Sequence, residues 1–263
     1  SPLQRSGELM GCLNVVMFSP EDLVLIKGGP QERRRFLDME LSQLKPAYYY
    51  TLQQYNIALK QRNNLLKEPD CLQNDMLELW DEQLSKLGAR IMADRAQFCR
   101  ALSREAGSLH DHMSGGKETL EVFYDPDVRC ADEGLLRESI AEALINGLER
   151  DMYRGFTGAG PHRDDLGLRL NDLDVRTFGS QGQQRTAALS LKLSEIRRIR
   201  GENPVLLLDD VFSELDGRRQ KLLLSAVEGC QCFITCTGLE ELGELGDVPL
   251  QVYAVSGGEL SEI

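Results

Sequence analysis

The chain has 263 residues, of which 41% are hydrophobic and 27% are charged, so it is long enough for one or two domains with sizeable cores. Acidic residues outnumber basic ones by 42 to 30, and the net charge of −12 argues against a protein that coats DNA through its whole surface. No apolar run approaches the roughly 18 residues that a membrane-spanning helix needs.

The first 45 residues predict one strand and two helices. Residues 13–18 are mostly apolar and form the strand. Pro20, with acidic residues directly behind it, opens a helix, because a fixed φ and negative charge suit a helix N-terminus. The Gly-Gly-Pro sequence at 28–30 breaks that helix, and residues 33–44 form the next one.

Residues 46–112 have the pattern of a helical hairpin. Pro46 opens one long helix, which ends near Pro69. In the second helix apolar residues recur at intervals of three, four, three, four and seven, which is a heptad seam: Leu77, Trp80, Leu84, Leu87, Ile91 and Phe98. Two facing stripes with a short connection predict an antiparallel hairpin, either a projecting arm or part of a plain bundle.

A Ser-Gly-Gly turn at 114–116 closes the hairpin. Residues 120–124 alternate as a half-buried strand, and residues 135–153 predict one continuous helix. A β-hairpin follows, with strands at 166–170 and 173–178 and an Asn-Asp turn between them.

A serine–glycine turn precedes an amphipathic helix further along the chain. Ser180 is a suitable N-cap, and Gly182 lets the backbone approach a ligand closely. The free N–H groups and partial positive charge at a helix N-terminus suit a phosphate. An ordinary Ser-Gly cap is the alternative.

Residues 205–208 are all apolar, and the strand that they predict ends in Asp209 and Asp210. An apolar run of this length is typical of a central parallel strand covered on both faces. Acids at its carboxyl end lie where α/β sheets bind ligands, and two of them suit a Mg²⁺–nucleotide site. An acidic turn is the alternative, but the Ser-Glu-Leu-Asp sequence at 213–216 favours a nucleotide site. A helix at 217–227, a strand at 232–236 and a hairpin at 251–263 complete the chain.

Histidines and cysteines offer two candidate metal sites. The chain has seven cysteines and no Cys-x-x-Cys pair, and only Cys230, Cys232 and Cys236 cluster. Because residues 232–236 have the pattern of a buried strand, we expect packed, reduced thiols and a cytoplasmic protein. His110 and His112 have no further ligand downstream, so a metal site is not favoured there either.

Several of these segments together resemble one family. The Ser180-x-Gly182-Gln183 sequence resembles the signature motif of ABC-type ATPases, residues 205–210 resemble their Walker B strand, and residues 213–216 resemble their D-loop. Within that class the chain resembles the RecF family, which is related to the SMC proteins. Three further segments carry this resemblance: 20–38 and 160–165, which look like family hallmarks, and 60–66, which is similar to the first arm helix.

The resemblance implies an α/β fold, with a P-loop NTPase head of ABC type and an inserted coiled-coil-like helical arm. We expect head segments at 1–45 and 151–263, with the arm, or lobe II, at 46–150. A Gly-x-x-x-x-Gly-Lys-Ser/Thr loop is absent from the sequence, and residues 115–118 are the nearest approach to it. The family places this P-loop near its N-terminus, so we expect a fragment lacking roughly the first hundred residues. This fragment alone is not expected to bind ATP tightly or to hydrolyse it.

The resemblance also implies a mechanism in which two heads share ATP. Ser180, Gly182 and Gln183 are expected to contact the γ-phosphate of ATP that the opposite subunit holds. Mg²⁺ is expected near Asp209, through water, while Asp210 positions the attacking water. The two other predicted site residues are Asp216 at the dimer contact and Thr235 as a γ-phosphate sensor, for which Cys236 is an alternative. Because Asp210 is shorter than the glutamate of fast ABC ATPases, slow hydrolysis is expected of the complete protein.

A RecF-type protein is expected to act in DNA replication and repair, at single-strand gaps and stalled forks. The resemblance implies ATP-dependent dimerisation and binding to single-stranded and gapped or junction DNA. It also implies RecR and RecO as partners in loading RecA. Candidate DNA contacts are basic: Arg33, Arg34, Arg35 and Arg163, with further patches at Lys60 and Arg62 and at Arg197, Arg198 and Arg200. A solvated helix face or pairing with nearby acids is the alternative for each patch.

Two other functions stay open from the sequence. A non-hydrolysing, SMC-like head would act as a dimerisation or scaffold module, which the absent P-loop favours. A metal-dependent hydrolase would instead use the acids at 209–210 and 164–165.

Overall fold

The computed structural model describes residues 14–68, 75–199, 204–227, 229–242 and 250–262. The strands in these ranges are β1 (Val15–Phe18), β2 (Leu120–Asp125), β3 (Asp165–Leu170), β4 (Leu173–Asp174), β5 (Val205–Asp209), β6 (Gln231–Thr235), β7 (Tyr253–Ser256) and β8 (Glu259–Glu262). The α-helices are α1 (Val24–Lys27), α2 (Pro30–Leu44), α3 (Pro46–Leu65), α4 (Met76–Ser114), α5 (Leu136–Asn146), α6 (Leu148–Arg154), α7 (Val175–Phe178), α8 (Gln181–Ile199) and α9 (Gly217–Val227).

The predicted apolar strand is the centre of a parallel sheet with the order β1-β5-β6. Leu206 and Leu208 point to the face that α8 covers, where they are buried with Leu189 and Leu193. On the other face Met17, Leu207 and Phe233 lie side by side in register. Met17 is 50% exposed and Phe233 is 55% exposed. The central position of β5 is confirmed, whereas burial on both faces is not seen among the described residues.

A second sheet is antiparallel, with the order β2-β3-β4, and it packs against α4. Its hairpin turn has positive φ at both central residues, Asn171 and Asp172, as the tight two-residue hairpin turn requires. The predicted strand at 173–178 is wrong beyond Asp174. The Asp174 carboxylate accepts a hydrogen bond from the Thr177 N–H at 2.8 Å, which caps α7 and turns the chain into a helix.

The predicted helical hairpin is present as α3 and α4, and α4 is 39 residues long. Most residues of the heptad seam are buried in one large cluster with α2, β2 and β3. The helix ends at Gly115, whose φ of 71° gives a left-handed C-cap. The predicted single helix at 135–153 is instead two helices, α5 and α6, that meet at Gly147, since glycine is a weak helix former.

The described cysteines of the 230–236 segment are free thiols that pack against the core cluster beside the parallel sheet. Within the described ranges, no group of three or more His, Cys, Asp and Glu side chains is arranged to hold a metal ion. No helix in the same ranges is both long and apolar enough to cross a bilayer.

Candidate nucleotide-binding site

The carboxyl edge of the parallel sheet brings Asp209, Asp210 and Thr235 together. Asp209 and Thr235 are the last residues of β5 and β6, and the parallel register pairs them directly. The Thr235 hydroxyl donates to the Asp209 carboxylate at 2.6 Å. The Asp210 N–H in turn donates to both the Thr235 carbonyl, at 3.2 Å, and the Thr235 Oγ1, at 3.1 Å. Three side chains predicted for one site therefore lie at one edge.

Asp210 has an unusual backbone and an unsatisfied side chain. Its φ is 50°, in the left-handed region that asparagine and aspartate tolerate better than most residues. Its carboxylate Oδ1 is buried and has no hydrogen-bond partner in the described part of the chain. A buried acceptor of this kind calls for a donor or a cation beyond the described residues, and a bound cation or water would supply one. Asp209 is exposed, so the pair lies at an accessible edge.

The D-loop follows as a short 3₁₀ turn, and its contacts are local. The Ser213 hydroxyl donates to the Asp210 carbonyl at 3.0 Å. Asp216 caps α9 by accepting the Arg219 N–H at 3.0 Å, and it forms an ion pair with the Arg219 guanidinium at 2.6 Å. Asp216 is exposed and lies before the first turn of α9.

The signature turn is a reciprocal capping box at the start of α8. The Gln183 N–H donates to Ser180 Oγ at 3.3 Å, and the Gln183 side-chain oxygen accepts the Ser180 N–H at 2.8 Å. Ser180 and Gly182 are exposed, and a Cβ at Gly182 would meet nothing within 4 Å. The open space at this helix N-terminus is large enough for an anion to approach the backbone.

The acidic edge and the signature turn are two separate groups that one arginine links. Arg219 Nη2 donates to Thr186 Oγ1 at 2.6 Å, and the Thr186 hydroxyl donates to the Gly182 carbonyl at 2.8 Å. Arg219 also forms the ion pair with Asp216, so it holds the D-loop against the second turn of α8 in the same chain.

Among the arginines predicted to contact DNA, Arg33 is buried and bonds to other residues of the protein. Its guanidinium forms a two-pronged ion pair with Asp165, with both N–O distances 2.7 Å, and also donates to the Gly28 carbonyl at 3.0 Å. Since the side chain is buried and its donors are engaged, we leave Arg33 out of the proposed DNA contact. Arg34 is half-buried and donates to the Asp164 carbonyl at 2.7 Å.

Arg35 and Arg163 are exposed. Arg163 stacks over the Phe156 ring, with its guanidinium carbon 5.0 Å from the ring centre. Arg35 lines a cleft of about 830 Å³ together with Arg34 and His162, the neighbour of Arg163. The exposed arginines of both hallmark segments therefore lie close to one cleft.

The second acidic pair does not converge on the first. The Asp164 carboxylate is fully buried and accepts hydrogen bonds from Arg95 at 3.0 Å, from the Asp127 N–H at 2.9 Å and from the Tyr124 hydroxyl. Both carboxylate oxygens of Asp165 accept hydrogen bonds from the Arg33 guanidinium. Their arginine partners give these acids a structural role, so the hydrolase that would use 164–165 together with 209–210 is not supported.

Comparisons with known proteins agree with one another. The chain is 47% identical over 265 residues to the DNA replication and repair protein RecF of Alkaliphilus oremlandii, covering 98% of the chain and 72% of the relative. It is 43% identical over 267 residues to the RecF of Clostridium acetobutylicum, with 99% and 72% coverage. No protein-family model matches the chain.

Two solved structures share this fold, described as the recombination mediator protein RecF-ATPrS and RecF-ATP in the RecFOR pathway. The first matches with a TM-score of 0.88 at 37% identity, covering 99% of this chain and 71% of the solved one. The second has the same TM-score at 38% identity. The similarity therefore extends over nearly the whole chain in both sequence and structure.

Proposed function

The chain belongs to the RecF family of DNA replication and repair proteins, with an α/β fold of ABC-ATPase type, and from that premise we propose that it works by sharing ATP between two copies. The observation that carries the proposal is the acidic edge, where Asp210 keeps a buried carboxylate oxygen without a partner among the described residues. Nucleotide-bound relatives of the same fold support it.

In this proposal the residues of the acidic edge act on the nucleotide of their own copy. Asp209 and the Thr235 hydroxyl offer oxygen ligands of the kind that Mg²⁺ prefers, directly or through water. When bound, Mg²⁺ neutralises charge on the phosphates. Asp210 uses its free oxygen to hold and orient the attacking water, while its backbone is fixed by Thr235. A site of this kind accounts for the unsatisfied acceptor.

The second copy contributes the signature turn. Ser180 and the backbone at Gly182 face open space, and there they donate hydrogen bonds to the terminal phosphate held by the first copy. Gln183 shapes the turn, because both ends of its side-chain amide are engaged within the chain. Asp216 lies beside the acidic edge at the contact between copies. ATP is therefore a ligand of the dimer, and its hydrolysis releases the two copies.

The same premise supports the biological assignment. We propose ATP-dependent DNA binding at gaps and stalled forks in the cytoplasm, with RecR and RecO as partners in loading RecA. For the domain division we propose head segments at 1–45 and 151–263 and an arm at 46–150. The base of this arm is joined to the head, because one core cluster includes residues of all three segments, among them Leu37, Ile91 and Leu166.

Asp210→Asn tests the nucleotide site in the protein expressed from its complete gene. The amide keeps the shape of the carboxylate but cannot accept a proton from water, so ATP hydrolysis should fall at least about 100-fold. The ATP-bound dimer should accumulate, as measured by size exclusion with light scattering in the presence of ATP.

Asp172→Asn is a matched control, because Asp172 is exposed and has a φ of 66°, close to the 50° of Asp210. This variant should hydrolyse ATP and dimerise as the wild type does. Undiminished hydrolysis in Asp210→Asn would rule out the proposed role. A wild-type protein that dimerises with ATP but never hydrolyses it would favour the scaffold function instead.

A further inference from the structure

We propose that Glu118, held by His110, is a positioning residue that anchors the Gln183 amide and thereby holds the Ser180 turn in its hydrogen-bonded form. This inference rests on the nucleotide role proposed above for Ser180. Glu118 lies in the loop between α4 and β2, outside the ATPase motifs that the sequence indicates. Its carboxylate connects the end of the long helix α4 to the first turn of α8.

The connection is a chain of three hydrogen bonds. His110 Nε2 and Glu118 Oε2 are 3.0 Å apart, and Gln183 Nε2 donates to Glu118 Oε1 at 2.9 Å. At its other end the Gln183 amide oxygen accepts the Ser180 N–H at 2.8 Å. The side chain of Gln183 is therefore held at both ends, one by Glu118 and one by the signature turn.

Glu118 and the Ser180 N–H select the same orientation of the Gln183 amide. Partial burial acts to raise the pKa of Glu118, but the hydrogen bonds from Gln183 and His110 lower it below the usual value, so the group is ionised at neutral pH. An ionised carboxylate only accepts hydrogen bonds, so it selects the NH₂ end of the amide. The amide oxygen must then face the Ser180 N–H, as the capping box requires.

This polarity leaves one proton free for a ligand. Ser180 Oγ already accepts the Gln183 N–H at 3.3 Å, and the Ser180 N–H is used by the amide oxygen. The hydroxyl hydrogen of Ser180 therefore stays available to donate to a phosphate oxygen. Without Glu118 the amide is held only by the Ser180 N–H, so the Gln183 side chain loses its second anchor and the turn is held less firmly.

His110 is well suited to hold Glu118 in place. The ring is fully buried, and its Nδ1 lies 3.3 Å from Ser190 Oγ on α8. Burial lowers the pKa of His110 below its usual value, against the opposing effect of Glu118, and Arg219 also lowers it while Asp111 raises it. Since Glu118 only accepts, the Nε2 of the neutral ring must carry the hydrogen.

Glu118→Ala in the complete gene product tests the proposal. ATP-dependent dimerisation should weaken roughly tenfold, as expected for one lost charge-assisted hydrogen bond. ATP binding to the isolated copy should not change, since the acidic edge is intact. Glu118→Gln can still accept from Gln183 and should restore most of the dimerisation. Glu121→Ala, which removes an exposed glutamate from the adjacent strand β2, is the matched control and should behave as the wild type does.

A mixing experiment separates positioning from a merely structural effect. The first mixture pairs one copy that carries Glu118→Ala with one copy that carries Asp210→Asn. The acidic edge of the first copy and the signature turn of the second then form one intact composite site. Hydrolysis by this mixture should exceed that of either variant alone. When a single copy carries both substitutions and pairs with the wild type, neither composite site is intact, and an excess of it should suppress wild-type hydrolysis.

Equal activity in the two arrangements would overturn the proposal for Glu118. The same pair of mixtures made with Ser180→Ala tests the premise on its own. If Ser180→Ala also shows no difference between the arrangements, the shared nucleotide site is wrong. If Ser180→Ala shows the difference and Glu118→Ala does not, only the positioning role of Glu118 fails.

Discussion

Asp210 shows how a single residue combines a backbone requirement with a chemical one. Its left-handed φ turns the chain sharply at the end of β5, and its N–H is then shared between two oxygens of Thr235. A residue held this firmly can keep one carboxylate oxygen buried and unpaired at a fixed place. Backbone strain of this kind is common at functional sites, and it is stable only when neighbouring contacts compensate for it.

Glu40 and Glu195 form a further pair of acidic residues, and both are buried. Both are at most 3% exposed, and Lys192 forms an ion pair with Glu195 at 2.9 Å. Asp22 and Arg198 are the other charged groups that act on the pair. Burial raises the pKa of both carboxyl groups, that of Glu195 most strongly, and the Lys192 ammonium opposes the rise at both. Burial raises the pKa of Glu40 to about 7.

We expect the stability of the protein to fall as the pH rises from about 4.5 to about 7. The folded state keeps the Glu40 proton up to about pH 7, whereas the unfolded chain releases it near the ordinary value of 4.5. Glu40→Gln removes this titration. Relative to the wild type, the variant should be more stable at pH 8 than at pH 5 by on the order of 1–3 kcal/mol.

Urea denaturation at both pH values measures the difference. Glu32→Gln on the same helix, where the side chain is half exposed, should follow the wild type at both pH values. A Glu40→Gln variant with the same relative stability at pH 5 and pH 8 would show that Glu40 does not hold the proton.

At the scale of elements, α4 joins the two hallmark segments, 20–38 and 160–165, through a buried arginine. Arg95 is buried in the middle of the helix and contacts Asp38 of the first hallmark at 2.7 Å and Asp164 of the second at 3.0 Å. It also donates to the Pro161 carbonyl at 2.7 Å. The hallmarks further join each other through Arg33 and Asp165. Both segments thus bind a single helix and each other.

Arg62 makes a similar junction for α3 and gives a stability prediction. It is fully buried and contacts Asp81 at 2.5 Å, Asp151 at 2.8 Å and Thr157 at 3.0 Å. Arg62→Met removes one partner of a buried ion pair and leaves the two carboxylates uncompensated. The free energy of unfolding should fall by about 3–5 kcal/mol, measured by denaturant titration.

Lys60→Met is the control, because Lys60 is exposed two residues earlier on the same helix. It should change the free energy of unfolding by less than about 0.5 kcal/mol. If Arg62→Met were as mild as this control, the buried pair would not contribute to holding α3 against α4 and α6.

The elements and the acidic edge could be predicted from sequence because their signals are local. The heptad seam predicted α4, and the apolar run ending in two aspartates predicted β5 and the position of those aspartates at the carboxyl edge of the sheet. The buried ion pairs of Arg33 and Arg62 could not be predicted, because from the sequence alone we interpret both arginines as candidate DNA contacts. Asp165 lies 132 residues from Arg33, and Asp151 lies 89 residues from Arg62, so only the fold brings these pairs together.

For the molecule as a whole, two hydrophobic clusters meet along α4 and α8, one around the antiparallel sheet and the other around the parallel sheet. The net charge of the chain is −12, so its surface as a whole does not attract DNA. The DNA binding that we propose therefore depends on a local basic patch. Arg35 and Arg163 are the exposed members of the predicted set; Arg35 lines a cleft together with Arg34 and His162, and Arg163 directly follows His162.

The double variant Arg35→Ala with Arg163→Ala tests this patch in the complete gene product with ATP. If each arginine contacts one phosphate, DNA affinity should fall about tenfold or more, and the slope of log affinity against log salt should decrease by about 2. Fluorescence anisotropy with gapped duplex DNA at several salt concentrations measures both. Arg100→Ala with Arg137→Ala removes the same charge from exposed ion pairs with Glu133 and Glu82. An equal loss in this control would mean that total charge, and not the patch, determines DNA binding.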